Sequence, residues 1–129
     1  MATINQVIDI VDQQKPNAYN ERIKKHWLDQ MDRMVFRDVI STHEGGAEEF
    51  AGYNDETDGE TVLLMPDDFR QVYVYWLSAM MDFANQETNR YTNDMIMFNQ
   101  MYGDFEAWYN RTHMPKGQVI RGAEGRICR

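Results

Sequence analysis

The stretch Met65 to Thr112, MPDDFRQVYVYWLSAMMDFANQETNRYTNDMIMFNQMYGDFEAWYNRT, holds most of the aromatic residues of the chain. They recur at helical spacing: Phe69, Val72, Tyr73, Trp76, Leu77, Met80 and Phe83, then Tyr91, Met95, Phe98, Tyr102, Phe105 and Tyr109. The pattern predicts two long amphipathic helices. The first starts at Pro66 and Asp67, where proline and acidic side chains suit a helix N-terminus. The break falls at Asn85 to Thr88, with Asn85 able to turn left-handed and Thr88 or Asn89 able to cap the second helix. Together they predict an antiparallel hairpin over about 66–112, with Ala79 and Ala84 allowing close approach.

Stripes of this kind are packing surfaces first. Tyr75, Met81, Ile96, Met97, Met101 and Trp108 fall off them, so apolar surface is left for the rest of the chain or another subunit to cover.

Working back from the hairpin, Thr3 caps a short helix with Ile4, Val7, Ile8 and Val11 on one side, stopped by Lys15-Pro16-Asn17. Asn20 caps a second, running to about Ser41, with Ile23, Trp27, Met31, Met34, Val35 and Val39 as its stripe. Its other face, with Lys24, Lys25, Asp29, Asp32, Arg33 and Arg37, has the mixed-sign spacing of a solvated surface. Residues 42–64 read as a long loop: Gly, Asp, Asn and Thr dominate to Thr61, and Thr61–Leu64 is a short extended piece. Phe50 and Tyr53 suggest that the loop docks on something. Beyond Pro115 the segment KGQVIRGAEGRICR is rich in glycine and reads as an arm over 115–129, with Val119, Ile120, Arg121, Arg126 and Ile127 as contact residues. The fold class is thus all-α, a small helical bundle of residues 1–114 followed by that arm.

A chain of 129 residues makes one domain with a modest core. It has no apolar run long enough for a membrane span, and its first residues lack the pattern of a secretory signal. The single cysteine, Cys128, has no partner in the chain and lacks the fixed base that a nucleophile needs. A net charge of −8 argues against a nucleic-acid binder. The acids concentrate in the loop as Glu44, Glu48, Glu49, Asp55, Glu56, Asp58 and Glu60, with no Lys or Arg among them, whereas basic residues dominate after Thr112.

Signals for chemistry are weak. His26, His43 and His113 lie in three elements without metal-ligand spacing, and residues 54–60 miss the calcium-loop register. Phosphate-binding loops and nucleophile elbows do not occur. Asp82 and Asp94, inside apolar helices, are the remaining acid-base candidates, and a hydrogen bond to a tyrosine across the hairpin explains either. The reading is therefore of a non-enzyme with no cofactor and no metal.

The ensemble resembles the head-tail connector family of long-tailed bacteriophages. The resemblance covers about Thr3 to Lys116 and rests on Pro16-Asn17 before Trp27-Leu28, on Met65-Pro66, on Tyr73 to Leu77 with Asp82-Phe83-Ala84-Asn85, on Arg90-Tyr91, and on Phe105 to Tyr109 running into Arg111-Thr112. It implies a helical adaptor that assembles as a dodecameric ring in the virion neck. Such a ring joins the portal protein to the next neck or tail protein around passing DNA, without a membrane. Loop and arm would make contacts between subunits and rings, and the seven loop acids would face the channel and repel phosphate. Head-to-tail rings use two different surfaces of each subunit, which the uneven charge suits. Two other readings stand beside it: a tail-completion or terminator protein of the same virion, and a small acidic DNA mimic that inhibits a host enzyme.

Overall fold

The computed structural model describes residues 2–116 and is all-α. Four helices occur in chain order: α1 (Ile4–Gln14), α2 (Glu21–Asp38), α3 (Arg70–Ala84) and α4 (Thr88–Thr112), with 3₁₀ turns at Ile40–Thr42 and Asp67–Phe69. The sequence spacing accounts for most of this. Thr3 Oγ1 accepts from the Gln6 N–H at 3.2 Å while the Gln6 side chain accepts from the Thr3 N–H, a reciprocal cap on α1. Asn20 Oδ1 caps α2 by accepting from the Ile23 N–H.

The helices α3 and α4 run antiparallel, as the ring pairs Phe69–Phe105, Trp76–Phe98 and Phe83–Tyr91 record. At the turn the left-handed residue is Gln86 (φ 62°), not Asn85, and α4 begins after Glu87 without a side-chain cap. The Glu87 N–H instead donates to the Asp82 carbonyl, so backbone geometry closes the turn and the expected cap at Thr88 or Asn89 is not made. α3 also begins later than expected, at Arg70, because Asp67–Phe69 forms the tighter 3₁₀ turn first.

α3 is the central element. Buried residues Val72, Tyr73, Val74, Leu77, Ala79, Met81 and Asp82 surround it, and it packs against α1, α2 and α4. α4 is the outlier, packed mainly on α3, with only Phe98, Tyr102, Phe105 and Tyr109 buried along 25 residues. Two expectations change here. Phe83 stands 66% exposed at the turn end of the hairpin, against the Tyr91 ring, and Ala84 is exposed too. Met81 is fully buried by the remainder of the chain.

The segment from His43 to Met65 has no regular element, yet it is not a free loop. It crosses α2 and reaches the start of α1, where Ile4 N–H donates to Thr61 O, Asn5 N–H to Gly59 O and Leu63 N–H to Ala2 O. Leu63 and Met65 anchor its end in the core. We call it the strap.

Gly103, in the middle of α4, is exposed, and a methyl group there would meet no atom of the described residues within 4 Å. Glycine inside a helix is less stable than alanine by about 0.5–1 kcal/mol. Gly103→Ala is expected to raise the thermal midpoint by about 2–5 °C, read by circular dichroism.

Candidate functional site

Two polar clusters lie inside the bundle, and both correct the sequence reading. In the first, the α2 face expected to be solvated is covered, by the strap over Lys25, Asp29 and Asp32 and by α1 at Lys24, whose Nζ donates to Asp12 at 2.7 Å. All four are buried, while Arg33 and Arg37 remain exposed. Lys25 Nζ donates to Thr57 O, and Asp29 Oδ1 accepts from the Tyr53 N–H. Gly52, at φ 89°, makes the turn beside Asp29 and Arg33 that lets the backbone come so close. Asp32, wholly buried, accepts from Tyr53 Oη at 2.6 Å, Tyr73 Oη at 2.7 Å and the Leu64 N–H at 3.2 Å. One carboxylate thereby joins α2, α3 and the strap. Burial pushes Asp32 up to about 6, with its three donors pulling the other way and Asp29 adding to the rise. Both tyrosines are raised in turn, by burial and then by the Asp32 charge.

The second cluster sits where the end of α1 meets α3 and α4. Lys15 Nζ is 2.5 Å from Asp82 Oδ1, 3.7 Å from Asp94 Oδ2 and 3.5 Å from Ser78 O, and Ser78 Oγ donates to Asp94 at 3.0 Å. No tyrosine takes part, contrary to the expected partner. Burial, then the Asp82 carboxyl, raises Asp94 to about 6. Burial opposes ionisation of Asp82 as well, but its hydrogen bond with Asp94 and the Lys15 ammonium outweigh this and hold it below the usual range. The lysine amine lies between the acids as a tethered cation, and the cluster ties the end of α1 to α3 and α4.

At the far end of α4, Glu44 N–H donates to Met114 O and Lys116 N–H to Thr42 O, so the first residues after α4 lie beside residues 42–44 of the same chain. His43 is buried there, with Nδ1 2.7 Å from Val39 O and Nε2 2.6 Å from the Asn110 amide, while His113 stacks on Tyr109 at 3.8 Å. No group of three or more His, Cys, Asp or Glu among the described residues is placed to hold a metal ion. His26 lies apart, lining a shallow open depression of about 420 Å³ with Asn20, Arg22, Ile23 and Asp55. No helix among the described residues is long and apolar enough to cross a membrane.

The contact residues expected from the sequence divide into three groups. Tyr53 is buried within its own chain and Phe50 half-buried between Phe36 and Tyr53, so this docking is intramolecular: the strap's aromatic rings pack against its own α2. Tyr75, Met101 and Trp108 are half-buried at the edge of the core, and Met97 is exposed, as is neighbouring Ile96. Val119, Ile120, Arg121, Arg126 and Ile127, with most of the expected arm, lie outside the described residues. The seven strap acids, Glu44, Glu48, Glu49, Asp55, Glu56, Asp58 and Glu60, are all exposed. Asp55 meets Arg22 at 2.9 Å and Glu60 meets Asn5 at 3.1 Å, both at the surface. Sequence reasoning missed Asp32, whose signal was an acid four residues from Leu28 and three from Val35, both apolar positions of its own helix. Compared with protein-family models, curated proteins and solved structures, the chain matches none.

Proposed function

We propose that this chain is a structural virion protein, a head-tail connector subunit. It forms a ring in the phage neck that joins the portal to the next neck or tail protein around the DNA channel. The resemblance of residues 3–116 to that family suggests the role. The observation that carries it furthest in the structure is the division of the surface: one segment displays seven acids outward, while α4 keeps Ile96 and Met97 exposed at 58% and 39%. An acidic strap lining a channel repels phosphate and lets DNA pass without binding. Apolar groups on a helix packed from one side suit contact with a neighbouring subunit. The two internal clusters brace the fold and leave chemistry to other proteins.

Cryo-electron microscopy of particles from the encoding virus tests the reading. The expected result is a ring of this chain beneath the portal, with the strap facing the lumen. A ring at the tail end would make it a tail-completion protein instead. Particles lacking the chain, with the purified protein bound to a host enzyme, would favour the DNA-mimic inhibitor and end the proposal.

A further inference from the structure

Asp82 is buried, and Lys15 Nζ, 2.5 Å from its Oδ1, is the ion-pair partner of one of its oxygens. The other, Oδ2, has no donor among the described residues. A buried acceptor left unpaired is costly, and native structures rarely keep one. Asp94 of α4 lies within hydrogen-bonding reach of Asp82, yet an ionised carboxylate only accepts and becomes a donor when it is protonated. Ser78 Oγ and Lys15 Nζ already meet Asp94 at Oδ2, at 3.0 and 3.7 Å, which leaves Asp94 Oδ1 to carry a proton. Charge points the same way. One lysine facing two carboxylates leaves one negative charge in excess beside the core, and a single proton brings the sum to zero.

We propose that Asp82 and Asp94 share one proton, that this proton fastens the first turns of α4 to α3 beside Lys15, and that its loss loosens them. The neighbouring groups do not take its place. Arg90 of α4 acts on Asp82 from a distance and is 3.5 Å from Glu87. Asp12 of α1 and Lys24 of α2 hold each other at 2.7 Å, and the Tyr19 hydroxyl, from the link between those helices, donates to Asn85. The start of α4 has little else to hold it, since it has no side-chain cap and packs mainly on α3. Without the proton, two like charges face each other there with one cation between them. Burial, then Asp82, raises Asp94 to about 6, so the native state binds this proton more tightly than the unfolded chain does. The stabilisation is complete below about pH 3.8 and is lost as pH rises to about 6, while Asp82, held below the usual range, stays ionised across most of that window. Ile96 and Met97 follow Asp94 by two and three residues, so the proton sets how firmly that exposed part of α4 is held. The device follows from the packing of three helices and stands whether or not the chain forms a connector ring.

Two measurements on the full chain test it. In carbon-13 spectra of the native protein, the Asp94 carboxyl is expected to titrate near pH 6, and the Asp82 carboxyl signal to move in the same step because one proton serves both. Amide hydrogen exchange of residues 91–98, corrected for the intrinsic rate at each pH, is the second. Between about pH 5 and about pH 7.5 their protection should fall about tenfold more in the native protein than in Asp94→Asn, whose amide donates to Asp82 at every pH. An Asp94 that titrates near 3.8 would overturn the proposal, as would an Asp82 signal that ignores the Asp94 step. Equal losses of protection in the native protein and Asp94→Asn would do the same. The titration is read without any substitution, so a poorly folded variant would still leave a decisive result.

Discussion

Replacing Asp32 with alanine should lower stability by about 2–4 kcal/mol, a fall in thermal midpoint of roughly 6–20 °C for a chain of this size. The substitution strands Tyr53 Oη, Tyr73 Oη and the Leu64 N–H in a buried site. Each unsatisfied donor costs about 1–3 kcal/mol. Against this, alanine removes a carboxylate that burial disfavours. With its value at about 6 instead of 3.8, that relief at neutral pH is at most about 3 kcal/mol, so the stranded donors win. Asp32→Asn isolates the electrostatic part. The native state holds the Asp32 proton more tightly than the unfolded chain does. Its contribution is therefore full below about pH 3.8 and is lost as pH rises to about 6. The stability difference between the native protein and Asp32→Asn should shift against the native protein across that window and be flat above it. Denaturant melts at pH 4, 5, 6 and 7 would read it, and a flat difference throughout would mean that Asp32 titrates normally.

Lys15→Met should be the second costly change, at about 2–4 kcal/mol. It leaves Asp82, 1% exposed, facing Asp94 without the cation that lies between them. Removing one partner of a buried pair costs more than removing both, so Lys15→Met with Asp82→Asn should recover at least about 1 kcal/mol over the single variant. Urea denaturation of Lys15→Met, Asp82→Asn and the double variant measures the coupling. Strict additivity would show that the lysine acts through its aliphatic stem alone.

Both sites mark where the sequence stopped being legible. The helices were readable because each buries one face at a fixed period, and their caps at Thr3 and Asn20 are local. The covering of α2 was not, since Lys25 and Asp29 are satisfied by the Thr57 carbonyl and the Tyr53 N–H, 32 and 24 residues away, and backbone groups leave no trace in residue type. Asp32 looked like half of a surface pair because Asp29 and Arg33 have that spacing and are bonded at 2.8 Å on the same helix, yet even there only Arg33 faces solvent. The Lys15–Asp82 pair joins distant elements in the same way, and spacing along the chain cannot anticipate it. The candidate surfaces were partly legible: the acids were found outside as their charge required, whereas Phe50 and Tyr53 turned inward.

The strap divides two tasks between different residues. Its attachment is written in inward groups, Tyr53, the Thr57 carbonyl, Leu63 and Met65, and its charge in side chains that point away. The surface pairs of Asp55 and Glu60 add little, since exposed contacts of this kind contribute under about 1 kcal/mol. Substitution can therefore rewrite the outward letters, from acidic to neutral or basic, and reverse the field of this surface while the architecture stays untouched.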